Sequence, residues 1–244
     1  MLSQSIWSLI CKLGRSVIRT MLQIFQVMSA ERRSCGCVTF LRERSRWARL
    51  SLTFVELNCE NLFDYHDDVD KDDAEYLPEA TRHWTRKRYW RKLNNIAQEL
   101  LSTSDEGIPN LIALCEVEND SVLIDLTRRS LLRNAGYEYL MTSSPDLRGI
   151  DVALLYSPFS FALIRSYSIC VNPIEGMRPT RDILYAEGQV ASGDTLHVFV
   201  VHAPSRYGGE RYSRPFRKVV ADRLCQSSRR VGEYRPYPRF ACDI

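Results

Sequence analysis

Apolar residues take on a readable period from Leu50 onward. Leu52–Leu57 alternates as a strand does and runs straight into Asn58-Cys59-Glu60-Asn61-Leu62-Phe63-Asp64. Thr81–Leu101 has the 3.6-residue period of a helix, with Trp90, Leu93, Ile96, Ala97 and Leu100 as its apolar stripe. Gly107-Ile108-Pro109-Asn110 is a turn. After it, Leu111-Ile112-Ala113-Leu114-Cys115 is a continuous apolar run, the mark of a strand buried on both faces. That run ends in Glu116-Val117-Glu118-Asn119, and strand parity predicts that the two acids share a face. Ser121–Ala135 reads as a second helix, with Leu123, Leu126 and Leu131 for the core and Gly136 at its C-terminal cap. The period then changes to strands at Glu138–Thr142, Val152–Tyr156, Phe161–Val171, Ile183–Val190 and Leu196–Val201. Short turns between them predict antiparallel neighbours. Tyr212–Cys225 is spaced as a last helix, and the period is lost after Ser227. Packed sheets with helices outside them are the architecture this order implies.

The pattern divides the chain into a basic extension over residues 1–49, one globular domain over 50–226 and an irregular tail over 227–244. Residues 5–28 are amphipathic, and three readings stand side by side: an exported or targeted leader, a helix on a membrane surface, or a non-native extension. No run approaches the roughly 18 apolar residues of a membrane-spanning helix. The compartment, cytoplasmic or exported, is left open.

Charge changes the picture in one respect. The formal net charge of +3 is unevenly spread. Residues 1–50 hold nine Lys and Arg against two acids, a surplus of seven, which leaves −4 on the remainder. The basic balance is therefore no argument for a nucleic-acid groove in the globular part. Asp67, Asp68, Asp70, Asp72, Asp73 and Glu75 form an acidic loop without the central Gly of a calcium loop, and it reads as solvated. Arg82, Arg86, Lys87, Arg88, Arg91 and Lys92 crowd the first half of the first helix and read as a solvated face, with a phosphate-facing patch as the alternative. The eight cysteines read as thiols rather than a disulfide framework, and Cys59, Cys115 and Cys170 sit in apolar runs as small hydrophobes.

Polar residues directly after buried strands sit at a sheet rim, where ligands bind. Asn58 and Glu60 follow the first strand, Glu116 closes the second, and His202 closes the last. Carboxylates beside an amide, without a cysteine cluster, suit a hard cation such as Mg²⁺ that keeps its waters and reaches phosphate oxygens. A histidine there can donate a proton or bond a phosphate. Each residue alone has a structural explanation: a strand-end histidine that only packs, or a glutamate that meets an arginine.

Taken in order, four segments resemble the endonuclease/exonuclease/phosphatase superfamily, the group of DNase I and exonuclease III. They are Phe54–Asp64, Ala113–Asn119, Arg148–Tyr156 and His202–Gly209. The resemblance covers about residues 50–222 and is closest to bacterial members. It implies an α/β, four-layered α-β-β-α sandwich and metal-dependent hydrolysis of a phosphoester, by a nuclease or a phosphodiesterase. Glu116 and Glu60 would hold the cation, Mg²⁺ or Mn²⁺. Asn58 and His202 would be catalytic, the histidine at the scissile phosphate. Arg148, Asp151 and Asn119 would border the substrate, a phosphoester for which nucleic acid, inositol phosphate and sphingomyelin all stand open; no stable protein partner is indicated. The pattern departs from the family at its end. A later Gly-Asp-x-Asn and a terminal Ser-Asp-His are expected, and neither occurs; no His follows His202. The expectation is a fold incomplete at the C-terminal end and truncated, with weak or no activity, or a phosphate-binding relic without turnover.

Overall fold

The computed structural model describes residues 21–23, 41–44, 51–68, 70–103 and 107–232. The remainder of the amphipathic stretch over 5–28 and the tail from 233 lie outside the described residues. Met21–Gln23 (β1) is a short strand rather than part of a helix, and it pairs parallel with residues 197–199. Leu41–Arg44 (β2) is also a strand, upstream of the first readable period at Leu50.

Among the described residues, nine strands form two sheets. The five-stranded sheet contains β2, Ser51–Leu62 (β3), Leu111–Val117 (β4), Glu138–Met141 (β5) and Asp151–Tyr156 (β6), in the order β2-β3-β4-β6-β5. The four-stranded sheet contains β1, Phe161–Ile169 (β7), Ile183–Val190 (β8) and Thr195–Val200 (β9), in the order β1-β9-β8-β7. β3 and β4 are parallel, and the connection between them carries the helix Arg86–Ser102 (α1). The later strands, β5 with β6 and β7 through β9, pair antiparallel, as their short turns require.

The layers follow from which side chains each strand sends to each face. β4 is central in its sheet and buried along its whole length. Its Leu111, Ala113 and Cys115 point between the sheets, where Phe161, Leu184, Ala186, Leu196, Val198 and Val200 of the other sheet meet them. Its Ile112 and Leu114 face outward onto α1, which buries Tyr89, Leu93, Ile96, Ala97 and Leu100 there. Fully burying side chains of this size stabilises by about 1.5–3 kcal/mol each. The outer face of the other sheet, with Tyr185 and Phe199, is covered by Val220 and Leu224 of the last helix, Glu210–Gly232 (α3). The result is helix, sheet, sheet, helix: the four-layered α/β sandwich expected from the sequence.

Three elements differ from the reading of the pattern. α1 begins at Arg86, not Thr81, because residues 81–82 form a turn and His83 takes a left-handed φ of 46°. The second helix is only Asp120–Ile124 (α2), continued by a wider turn over Asp125–Arg129. The wider turn shifts the phase, so Leu132 is buried and Leu131 is exposed. α3 runs to Gly232, past Ser227 where the period failed, and Val231 still packs on the core. Cys59 and Cys115 are free and buried, as hydrophobes should be, but Cys170 is disulfide-bonded rather than a thiol.

Candidate functional site

β3 and β4 end side by side, and both break their alternation there. Asn58 pairs with Cys115, and the next matched pair is Leu62 with Val117. On the other side of β4, Cys115 pairs with Val152 and Val117 with Asp151, so Glu116 is an extra residue opposite nothing. Its φ is 62°, and Glu60 and Asn61 lie at 51° and 63°. Non-glycine residues seldom occupy this left-handed region, and three together concentrate backbone strain at these two strand ends. The bulge also resets parity. Val117 joins Ile112 and Leu114 on the helix side, and Glu116 is pushed out of the ladder. Glu116 and Glu118 therefore serve different places, against the parity expectation.

Glu116 is held from three sides. Asn58 Nδ2 donates to its Oε1 at 3.2 Å, and the Asn61 backbone N–H donates to its Oε2 at 2.8 Å. His202 Nε2 stands 3.4 Å from Oε1. Asn58 in turn accepts the Glu60 N–H at 2.9 Å. Lys92 of α1 donates from Nζ to the carbonyls of Glu60 and Asn61, at 2.6 and 2.8 Å, and so locks the left-handed pair. Burial lowers the Lys92 ammonium from its ordinary range. Asn58, Glu60, Asn61 and Glu116 line an open cleft of about 590 Å³, whose far wall is Tyr76, Arg82, Trp84, Arg88 and Lys92.

His202 follows β9, so it comes from the four-stranded sheet while Glu116 comes from the five-stranded one. It is 3% exposed, and its Nδ1 has no hydrogen-bond partner among the described residues. Burial, then the charges of Arg181 and Arg148, push its pKa well below the ordinary histidine value. Arg181 is itself buried and pairs with Asp146 Oδ2 at 2.9 Å. Asp146 also accepts the Arg148 N–H at 3.0 Å.

The structure thus brings Asn58, Glu60 and Glu116 to one cleft, with His202 against Glu116. Arg148 is half-exposed, at the Asp146 turn, near enough to His202 and Tyr76 to act on both electrostatically. Asp151 and Asn119 are occupied elsewhere. The buried Asp151 carboxylate accepts from Thr142 Oγ1 at 2.6 Å, from the Ser144 N–H at 3.1 Å and from the Ser144 hydroxyl. Asn119 caps α2 by accepting the Val122 N–H at 3.1 Å and donates to Asp64. Sequence reasoning missed Arg181 and Asp146, whose only trace is a polar pair just before an apolar strand and one Asp in a turn. It also read the basic run over residues 82–92 as solvated, whereas Arg82, Arg88 and Lys92 face the cleft. The acidic loop is not uniformly solvated either, since Asp73 is buried.

The donor set at the cleft is carboxylate and amide oxygen, and Cys59 and Cys115 are buried. Oxygen donors beside open solvent fit a hard divalent cation that retains waters.

Residues 53–231 match the model of the endonuclease/exonuclease/phosphatase family. No curated protein matches the chain. Among solved structures, the catalytic domain of human Nocturnin with bound sulfate is 21% identical, with a TM-score of 0.45, over 59% of this chain and 52% of that one. A mannosyl-6-phosphatase of Bacteroides thetaiotaomicron is 16% identical, with a TM-score of 0.49, over 76% of this chain and 61% of that one. D. rerio TDP2, complexed with single-strand DNA product, is 16% identical with a TM-score of 0.41, over 75% and 56%. This chain spans less than two thirds of each of these three. No helix among the described residues is long and apolar enough to cross a membrane.

Proposed function

The chain belongs to the endonuclease/exonuclease/phosphatase family, and on that premise we propose that it hydrolyses a phosphoester with Mg²⁺ or Mn²⁺ held by Glu116 and Glu60. The observation that carries this reading is the left-handed bulge that aims Glu116 into an open cleft already holding Asn58 and Glu60. When bound, the cation supplies a Lewis acid for a phosphoryl oxygen.

The chain's own residues do the remaining work. Asn58 and the Asn61 N–H fix the Glu116 carboxylate in one orientation, so it need not reorganise during reaction. Lys92 holds the turn that presents Glu60. Arg82 and Arg88 offer positive charge to a phosphate, and Tyr76, stacked on Phe63 with Arg82 over its ring, helps to position Arg82. His202, buried against Glu116 and held toward its neutral form, would stand beside a phosphate bound at that carboxylate. Arg148 would border the substrate from the Asp146 turn, whereas Asp151 and Asn119 stay committed to their own local bonds away from the cleft.

Binding of a phosphate ligand without turnover is the second reading, favoured by the positive Arg148 and Arg181 near His202. Release of product from bis-p-nitrophenyl phosphate and from DNA separates the two. Hydrolysis should need Mg²⁺ or Mn²⁺ and fall by about 10²-fold or more in Glu116→Gln. Turnover that survives both EDTA and this substitution would sink the hydrolytic reading. Calorimetric binding of inorganic phosphate without turnover would favour the second.

A further inference from the structure

Away from the cleft, Glu118 meets the acidic loop. One carboxylate oxygen from each of Asp68, Asp73 and Glu118 lies within 4.8 Å of the others. Asp68 is exposed, whereas Asp73 and Glu118 are 1% and 6% exposed. No lysine, arginine or histidine pairs with any of the three among the described residues.

Local bonding explains only part of this cluster. Asp73 Oδ2 accepts the Asp68 N–H at 3.0 Å, and Glu118 Oε2 accepts the Asp64 N–H at 2.6 Å. Asp73 precedes the short 3₁₀ turn Ala74–Tyr76, yet its side chain does not cap that turn. Its Oδ1 is fully enclosed and has no hydrogen-bond partner among the described residues. A buried carboxylate oxygen without a donor is costly, and costlier with two more carboxylates beside it. A cation removes both costs at once. The donors are all hard oxygens, and three carboxylates leave room for backbone carbonyls and waters, as Ca²⁺ or Mg²⁺ requires.

We propose that Asp68, Asp73 and Glu118 hold a hard divalent cation, separate from the one at Glu116, that ties the acidic loop to the end of β4. The loop is already placed for this. The Asp72 N–H donates to the Leu147 carbonyl at 2.8 Å, and Tyr76 stacks on Phe63 with ring centres 4.1 Å apart. Because Tyr76 also lines the cleft, the cation would fix one cleft wall without touching substrate.

The test uses the full chain carrying Glu116→Gln, which leaves this site intact while disabling the other. Melting is compared in EDTA and in CaCl₂ or MgCl₂, with calorimetry to count bound ions. The expected Tm rise is about 5–10 °C at a hundredfold excess of cation over Kd, with one cation per chain. Asp73→Asn should abolish both the shift and the bound ion. Since a buried substitution can misfold, Asp68→Asn at the exposed corner is the second variant; it should fold and bind at least about tenfold more weakly, a cost of about 1.4 kcal/mol. No shift and no heat of binding in Glu116→Gln overturns the proposal. So does cation binding that both Asp variants leave unchanged. A metal-free Asp73→Asn protein that is more stable than its parent, where the parent binds no cation, would show that protons rather than a metal neutralise the cluster.

Discussion

At the scale of single residues, Glu56 is an acid buried within β3. Phe54 points between the sheets and Val55 and Leu57 point to α1, so alternation sends Glu56 into the inter-sheet layer. It is 9% exposed, and burial pushes its carboxyl up to about 7 from 4.5. The native state therefore holds a proton that the unfolded chain releases earlier. Stability from this residue is fullest below pH 4.5 and declines as pH rises toward 7, above which the deficit is constant. Glu56→Gln should stabilise the protein by about 2–3 kcal/mol at pH 8 and by almost nothing at pH 4.5. Urea unfolding at the two pH values checks this; equal effects at both would refute the burial argument. Residues of this kind also show what a sequence can and cannot disclose. Asn58, Glu60, Glu116 and His202 were legible because each interrupts or follows an apolar run. Arg181 and Asp146 were not, because they are 35 residues apart and meaningful only once the turn at 146 and the start of β8 meet. The donor-less oxygen of Asp73 was equally hidden, since its loop has the composition of a solvated one.

At the scale of elements, periodicity located nearly every strand and failed where hydrogen bonding departs from a regular ladder. It cannot register a bulge at Glu116 or a wide turn after Ile124, since both insert a residue without changing composition. The same limit applies to close approach between neighbouring strands. Gly188 in β8 lies beneath the Phe161 ring of β7, and a Cβ there would stand 2.4–2.6 Å from three ring atoms. Phe161 is completely buried and has little room to withdraw. Gly188→Ala should destabilise by about 1–3 kcal/mol, and Phe161→Leu in the same chain should recover part of that loss. Additive effects in the double-mutant cycle would show that the ring and the glycine are not coupled.

At the scale of the molecule, the candidate site spans both sheets. Glu116 belongs to one and His202 to the other, and their 3.4 Å approach depends on how the inner faces pack. Leu154 of β6 is fully buried in that seam, well removed in sequence from Glu116 and His202. Leu154→Ala should cost about 2–5 kcal/mol of stability in urea. It should also lower any phosphoester turnover below wild type under conditions where the variant is still folded. Full activity in a folded but destabilised variant would mean that the pair tolerates slack between the sheets.

The extra residue at Glu116 has one more consequence. A regular strand has a two-beat rhythm, so acids two positions apart are bound to a common environment, and a change that reshapes one reshapes the other's surroundings. By dropping a beat, β4 gives Glu116 and Glu118 separate addresses: one opens on Asn58 and His202, the other on Asp64, Asp68 and Asp73. A single short peptide thereby feeds two chambers that mutation can modify independently, which is a form of modularity achieved within nine residues' span of chain rather than by adding a domain.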